Sequence, residues 1–207
     1  MLIFDRDGNE ETMCGNGIRC LARYFFDRYT NKNEANILTK DGIKQARDFG
    51  NIIEINIGKA KQFMNMGDKY FVYIGCPHIV IIDNDIKWNF QDVPAMEKIG
   101  KRLCHDTSLC CNLGIKPTEG VYINFVQSHG TNYRILTYER HVERCTFACG
   151  TGSTAAAYVL HKIFRVKFPI VLENRGGALE IDMFNNKLIK RGAAEYIKTI
   201  PYTVPNC

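Results

Sequence analysis

Two tetrads of the same kind lie far apart in the chain: Cys14–Gly17 reads Cys-Gly-Asn-Gly, and Cys149–Gly152 reads Cys-Gly-Thr-Gly. After each tetrad, apolar residues recur with the i, i+3, i+4, i+7 spacing of an amphipathic helix. These apolar positions are Ile18, Leu21, Ala22 and Phe25 after the first tetrad, and Ala156, Val159, Leu160 and Ile163 after the second. The repeat predicts two copies of one structural unit, each with a helix that begins at its tetrad.

The tetrads also predict two reactive thiols. The N-terminus of a helix carries unpaired backbone N–H groups and the positive end of the helix dipole, and both favour a thiolate over a thiol. Glycines let the backbone approach an anion closely, so that these N–H groups can bind it. A pseudo-twofold arrangement of the two units would place Cys14 and Cys149 across a cleft, as a two-base proton transfer requires.

The rest of the chain is predicted to be rich in strands. Ile53, Ile55 and Ile57 alternate with polar residues, which is typical of a half-buried strand. Further strands are expected at 70–74, 78–82, 121–127, 133–138, 170–173, 179–184 and 187–191. The helices are expected at 15–29, 94–102 and from the second tetrad to about 163, with a polar loop at 1–12 and turns at Gly176-Gly177 and Asn185-Asn186.

The composition excludes several classes of function. The 207 residues suffice for one large domain or two smaller ones, and 45% of them are hydrophobic and 24% charged, as in ordinary globular proteins. The net charge of +5 is scattered, without a basic stripe, so nucleic-acid binding is not expected. No apolar run approaches the roughly 18 residues of a membrane span, and the N-terminus has no signal-peptide pattern. We therefore expect a cytoplasmic protein that does not enter a membrane.

The chain contains nine cysteines, an odd number that argues against a disulfide framework in a protein without a secretion signal. No Cys-x-x-Cys pair is present, and Cys104-His105 followed by Cys110-Cys111 does not have the spacing of a structural zinc site. We expect no metal. Most of the cysteines are expected to pack as small apolar residues, and only the tetrad cysteines have surroundings that predict reactivity.

Several short motifs occur in a fixed order along the chain. They are Asp7-Gly8 with the segment 13–20, Gly-Cys-Pro-His at 75–78, Tyr-Glu-Arg at 138–140, Ala-Cys-Gly-Thr-Gly at 148–152 and Gly-Gly-x-Leu at 176–179. This ordered set resembles the cysteine signatures, the Gly-Asn-Pro-His motif and a glycine turn of diaminopimelate epimerases, which are pyridoxal-phosphate-independent amino-acid racemases. The resemblance covers nearly the whole chain.

The resemblance implies an α+β fold of two pseudo-symmetric domains, each a central helix wrapped by a barrel-like mixed β-sheet. We expect the first domain at residues 1–57, the second at 58–198 and a C-terminal return toward the first domain at 199–207. The family carries a strand-rich segment with a Gly-Leu-Gly-Asn-Asp motif before the first cysteine, and this sequence starts close to that cysteine. We therefore expect a truncated first domain, in either a fragment or a naturally shortened protein.

The resemblance also implies the chemistry. Cys14 and Cys149 would be the catalytic pair: one as thiolate removes the Cα proton, and the other as thiol returns a proton to the opposite face. His78 and Glu139 would contact the α-ammonium, and Arg140 would pair with a distal carboxylate. The backbone amides that would hold the α-carboxylate are those around Gly15, Asn16, Gly150 and Thr151. No cofactor is implied.

Three positions of the expected substrate site differ from the family. Asp5, Cys76 and Tyr122 stand where the family has asparagines that bind the distal end of diaminopimelate, although a shifted alignment would offer Asn124 in place of Tyr122. The expected reaction is the conversion of LL- to meso-diaminopimelate, for lysine and peptidoglycan synthesis. The substitutions leave an alternative open, a racemase for an amino acid with an aromatic or cationic side chain.

Each of these predictions has a structural alternative. The tetrad cysteines could be buried helix caps, His78 a core histidine, and Glu139 with Arg140 an exposed ion pair. A non-catalytic remnant or a thiol-based redox protein would join the two tetrad cysteines in a disulfide and show no turnover. His141 and Cys145 replace the usual Gly and Glu, so a different loop conformation is expected there. The only partner expected is a small amino-acid substrate, and a homodimer is left open.

Overall fold

The computed structural model describes residues 1–4, 8, 10–83 and 87–201. Within these residues the helices are α1 (Gly15–Tyr29), α2 (Val93–Cys104), α3 (Thr107–Asn112) and α4 (Gly150–Phe164). The strands are β1 (Glu34–Thr39), β2 (Gly42–Asp48), β3 (Ile52–Gly58), β4 (Gln62–Asn65), β5 (Tyr70–Ile74), β6 (Cys76–Asp83), β7 (Tyr122–His129), β8 (Asn132–Glu139), β9 (Arg144–Cys145), β10 (Ile170–Asn174), β11 (Gly177–Phe184) and β12 (Lys187–Ala193). The predicted α+β class is confirmed.

The strands of the described residues form one mixed sheet in the order β1-β2-β3-β12-β11-β10-β8-β7-β6-β5-β4, with β9 paired to β8 off this path. The β6–β7 and β8–β10 pairs are parallel, and the other pairs are antiparallel. Because β12 lies between β11 and β3, it returns to the third strand after the first helix. The boundary predicted at residue 57 falls at the end of β3 and stays a prediction. Residues 202–207 of the expected C-terminal return lie outside the described residues.

Each of the two tetrads begins a helix that packs against strands of the sheet. Helix α1 packs on β1, β2 and β3, whereas α4 packs on β5, β6, β7, β10, β11 and β12. The two surroundings explain the two sequences. Helix α1 buries one stripe that contains Ile18, Ala22 and Phe26, while α4 is buried almost all round and is correspondingly rich in alanine. None of the helices in the described ranges combines the length and the apolar character that crossing a membrane would require.

The sequence predictions of individual elements are largely confirmed, with physical reasons for the differences. The predicted apolar stripe of α1 is wrong at Leu21 and Phe25, which are exposed, because Phe26 occupies the core position. Strands β1, β2, β4 and β9 and helix α3 were not predicted, since these short segments are mostly polar or half-exposed and have no clear period. The turn predicted at Gly176-Gly177 lies one residue earlier: Asn174 pairs with Gly177, so that Gly177 begins β11.

The eight cysteines within the described residues are all free thiols. Four of them, Cys76, Cys104, Cys110 and Cys145, are buried outside the tetrads. Cys104, Cys110 and Cys145 belong to the apolar cluster between α2, α3 and the strands β7 and β8. They therefore pack as small apolar side chains, as the sequence predicts.

The crossing of α2 over β8 requires a glycine and gives a first test of the fold. An alanine in a helix interior normally stabilises the protein relative to glycine by about 1 kcal/mol. A Cβ on Gly100 would instead lie 2.6 Å from Cβ and 2.7 Å from Cγ of the buried Tyr138. We expect Gly100→Ala to lower the free energy of unfolding by ~2 kcal/mol in urea denaturation, because this overpacking displaces α2.

Lys98→Ala is the matched control, since Lys98 is exposed on the same helix and reports helix propensity alone. It should leave stability nearly unchanged. A Gly100→Ala protein as stable as the wild type would show that α2 does not approach β8 this closely.

Candidate active site

A cavity of about 260 Å³ opens where the N-termini of α1 and α4 meet. It is lined by nine of the residues that the sequence singles out: Cys14, Gly15, Asn16, Cys76, Tyr122, Glu139, Cys149, Gly150 and Thr151. The structure thus brings together most of the predicted site residues, which lie on five separate stretches of the chain. Asp5 was also predicted here, and it lies outside the described residues.

The two tetrads have nearly identical backbone geometry. Cys14 caps α1 with φ −120° and ψ 117°, and Cys149 caps α4 with φ −118° and ψ 112°. The two helices touch through Gly15 and Gly150: a Cβ added to either glycine would lie 3.0 Å from Cα of the other. Only glycine permits this approach, and it places the free N–H groups of both first turns at one cavity.

Two side-chain contacts hold the tetrads in this arrangement. The Asn16 amide donates to the carbonyl of Ala148 over 2.7 Å and so ties α1 to the residue before Cys149. The amine of Lys190, on β12, donates to the carbonyl of Gly15. Both bonds join segments that are distant in the sequence, and the periodicity of the chain gave no indication of them.

The environments of the two thiols differ. Gly17 N–H donates to Cys14 Sγ over 3.3 Å, and Cys14 is partly accessible from the cavity. Cys149 is only 5% exposed, and its Sγ lies 3.6 Å from the hydroxyl of Thr151. Burial and the carboxylate of Glu139 raise the pKa of Cys149 well above its usual value. The chemically equivalent positions are therefore electrostatically unequal.

A chain of hydrogen bonds leads from Cys149 into the core. Thr151 Oγ1 lies 3.5 Å from Cys76 Sγ, which lies 3.2 Å from Nε2 of His78. The amide nitrogen of Asn124 donates to the carbonyl of Ile79 over 2.9 Å and lies 3.2 Å from His78 Nδ1. This orientation assigns Nδ1 as an acceptor, so that Nε2 carries the proton and donates to Cys76.

His78 lies behind the cavity. It is 0% exposed, and burial together with the charge of Arg140 lowers its pKa to about 3. The imidazole is therefore neutral at physiological pH, and Cys76 stands between it and the cavity. Its predicted contact with the substrate ammonium stays a prediction, and the contact that the structure describes is with a thiol.

Glu139, which follows Tyr138 at the end of β8, faces the cavity and accepts a hydrogen bond from the Thr146 hydroxyl over 2.6 Å. Arg140 does not line the cavity: its guanidinium lies 5.5 Å from the ring centre of Tyr122 and 3.9 Å from a carboxylate oxygen of Glu11. Glu11 itself lines the cavity, although no motif in the sequence identifies it. Its proximity to the first tetrad was the available signal.

Five further lining residues were not predicted: Ile3, Phe4, Met13, Thr146 and Ala148. Met13 and Ala148 each precede a tetrad cysteine, so the repeat itself could have identified them as an equivalent pair. Ile3, Phe4 and Thr146 have no such signal, because tertiary packing alone places them at the cavity.

One group of potential metal ligands occurs within the described residues, and it lies outside the cavity. The ligand atoms of Cys104, His105 and Glu143 lie within 4.8 Å of one another. Both nitrogens of His105 are engaged, Nδ1 with the Pro117 carbonyl at 2.7 Å and Nε2 with Glu143 at 2.9 Å. Burial raises the pKa of Cys104 to about 12, which keeps it a thiol. Hydrogen bonds therefore account for these donors.

The chain matches no protein-family model. It is similar to solved structures with low sequence identity, which shows the fold alone. A phenazine biosynthesis protein of the PhzF family from Bacillus anthracis superposes with a TM-score of 0.68 at 13% identity, over 92% of this chain and 76% of that one. A Pseudomonas aeruginosa protein described as a predicted epimerase superposes with a TM-score of 0.65 at 14% identity, over 96% of this chain and 79% of that one.

Sequence relatives are more informative. The diaminopimelate epimerase of Methanocella arvoryzae is 31% identical over 218 residues, which cover 95% of this chain and 74% of that protein. The enzyme of the same name from Flavobacterium psychrophilum is 31% identical over 207 residues, covering 95% of this chain and 75% of that protein. That of Archaeoglobus fulgidus is 28% identical over 94% of this chain and 72% of that protein. The chain belongs to the diaminopimelate epimerase family of isomerases.

Proposed function

We propose that this chain epimerises an amino acid at Cα without a cofactor, and that its substrate is LL-diaminopimelate, which it converts to the meso form. Cys14 and Cys149 exchange the proton. The observation that carries the proposal is the meeting of two cysteine-capped helix N-termini at one cavity. The names of the relatives at about 30% identity supply the substrate.

The two first turns bind the α-carboxylate. The backbone N–H groups near Gly15 and Gly150 have no partners within their helices, and both helix dipoles present their positive ends to the same cavity. An anion placed between them accepts hydrogen bonds from both helices. The same donors stabilise the negative charge that spreads onto the carboxylate when Cα loses its proton.

The unequal thiols have separate roles in the free enzyme. Cys14 is partly accessible from the cavity and accepts the Gly17 N–H bond, and it takes the role of the base. Burial and Glu139 keep Cys149 protonated, so Cys149 is the acid. The Thr151 hydroxyl can donate to Cys149 once that thiol has given up its proton. Because turnover requires one thiolate and one thiol, the rate should have a bell-shaped dependence on pH.

A second candidate substrate is an amino acid with a cationic side chain. Two carboxylates, Glu11 and Glu139, line the cavity, whereas Arg140 lies over the ring of Tyr122. Carboxylates favour an ammonium or guanidinium group, and one of them suffices for the α-ammonium. The other would face the end of the substrate side chain, where Cys76 and Tyr122 replace the asparagines of the family.

Proton exchange at Cα tests the function and the substrate together. We expect LL-diaminopimelate, incubated with the reduced protein in heavy water, to gain deuterium at Cα and to become the meso form, as followed by mass spectrometry and chiral chromatography. Lysine, arginine, ornithine and tyrosine form the comparison panel. Exchange of a cationic amino acid and not of diaminopimelate would favour the second substrate, and no exchange with any of them would contradict the proposal.

Removal of either thiol should stop inversion for different reasons. We expect Cys14→Ala and Cys149→Ala each to slow epimerisation by about 10³-fold or more, the effect of losing a general acid or base. Cys149→Ala should retain exchange of one isomer without inversion, because Cys14 can still remove and return a proton on its own face. Cys111→Ala, an exposed thiol at the end of α3, is the control and should leave the rate unchanged. Normal inversion in either tetrad variant would refute the two-base mechanism.

The unequal thiols predict unequal reactivity without substrate. We expect iodoacetamide at pH 8 to alkylate Cys14 at least ~10-fold faster than Cys149, since thiolate fraction falls tenfold for each unit by which the pKa is raised and Cys149 is also buried. Peptide mass spectrometry resolves the two sites. Equal rates would show that the environments of the thiols do not differ as described.

A further inference from the structure

Lys190 is a buried lysine that the proposed mechanism does not use. It lies in the middle of β12 and is 0% exposed. Its strand neighbours are apolar, Ile55 on β3 and Ile181 on β11. The adjacent Arg191 points the other way, to Glu54, Glu180 and Asp182 on the sheet surface. Lys190 is the charged side chain of β12 that points inward, toward the two helix N-termini.

The amine of Lys190 lies beneath the junction of the two tetrads. It donates a hydrogen bond to the carbonyl of Gly15. A Cβ added to Gly15 or to Gly150 would lie 2.6 Å from Nζ, the same distance on both sides. The amine therefore occupies the pseudo-twofold position between the helices, behind the two glycines that line the cavity.

Lys190 has no ion-pair partner among the described residues. The other buried lysine of these residues, Lys44 on β2, does have one. Lys44 Nζ lies 2.7 Å from a carboxylate oxygen of Asp41 and donates to the Ile57 carbonyl over 2.9 Å. Both lysines are buried and both donate to a backbone carbonyl, but only Lys44 has an anion beside it. Burying an ammonium group without an anion is unfavourable. The position of Lys190 therefore suggests that an anion binds or forms near it during function.

The groups that face the amine identify this anion. Helix α1 contributes Arg19 and Cys20, the two caps contribute Cys14 and Cys149, and the flanking strands contribute only apolar side chains. Burial and the charge of Arg19 lower the pKa of Lys190 to about 7, and the cysteines, when ionised, act in the opposite direction. The only anions that can form at this junction within the described residues are thiolates and a bound carboxylate.

We propose that Lys190 is a positioning residue that supplies the counter-charge of the Cys14 thiolate and, once substrate is bound, of its α-carboxylate. The contribution of Lys190 to catalysis rests on the proposed function. Without an anion, burial, the charge of Arg19 and the two positive helix ends all disfavour the ammonium form of Lys190. When Cys14 loses its proton, the ammonium form becomes favourable, so that thiolate and ammonium stabilise each other. The hydrogen bond to Gly15 keeps this charge fixed relative to both first turns.

The pH dependence of thiol reactivity tests the proposal without turnover. Lys190→Met removes the charge and preserves the length of the side chain. We expect the midpoint of the pH profile for iodoacetamide alkylation of Cys14 to rise by about 1 unit, the effect of removing a nearby opposite charge. Peptide mass spectrometry measures each site, and exposed Cys111 on α3 serves as the internal reference with no shift.

Lys44→Met is the matched control, a buried lysine away from the cavity whose partner Asp41 keeps its ion pair with Lys61 at 2.6 Å. Its Cys14 profile should equal that of the wild type, while its melting temperature falls. An unshifted Cys14 profile in folded Lys190→Met would overturn the proposal. A shifted profile in a protein that exchanges no Cα proton would support the role of Lys190 and refute the proposed function, so the two failures are distinguishable.

If Lys190→Met does not fold, the pKa of Lys190 in a Cys14 variant tests the same interaction from the other side. The coupling acts equally in both directions, so removing the thiolate must lower the pKa of Lys190. We expect a fall of about 1 unit in Cys14→Ser relative to the wild type, followed by nitrogen-15 NMR of the lysine amines. An unchanged Lys190 titration would overturn the proposal.

Discussion

The contact between Gly15 and Gly150 is the constraint on which the rest of the site depends. The two backbones approach so closely that a Cβ on either residue would lie 3.0 Å from Cα of the other. This contact sets the separation of the two caps, the direction of both first turns and the size of the cavity between them. The strand order serves the same end, since β12 returns between β3 and β11 and so joins the surroundings of α1 to those of α4.

Such an arrangement concentrates positive charge. Two helix N-termini, Arg19 and a buried Lys190 lie within one small region, and the described residues offer no carboxylate to pair with the lysine. The region is therefore suited to an anion, and both the thiolate of Cys14 and a substrate carboxylate satisfy this requirement. In the role proposed for Lys190, the buried amine would add a graded response: with a pKa of about 7, its charge would follow that of a nearby anion near physiological pH. A fixed cation such as arginine could not respond in this way.

The sequence predicts the two tetrad helices well because glycine, cysteine and helical period all act locally. It also marks His141, which stands where the family has glycine and adopts φ 67°, a conformation that glycine favours. Contacts across the sheet are not encoded locally. Nothing near Lys190 in the sequence indicates that its amine reaches Gly15, since strand alternation gives the face and not the partner. For the same reason, the motif around His78 suggests that His78 lines the cavity. In the structure Cys76 forms that part of the cavity wall, and the His78 imidazole lies behind it.

In the proposed mechanism, the position of Cys76 would make this thiol part of the acid side of the reaction. Neutral His78 donates from Nε2 to Cys76 Sγ, which leaves the Cys76 proton free for Thr151. The Thr151 proton can then point to Cys149. Burial raises the pKa of Cys76 to about 12, so it does not compete as an anion in the cavity. In the proposed reaction, this series of donors would support negative charge on Cys149 after that thiol has protonated Cα, and it offers no acceptor for the proton of Cys14. The asymmetry between the two cysteines is therefore fixed by the core behind one of them, although their backbones are nearly identical.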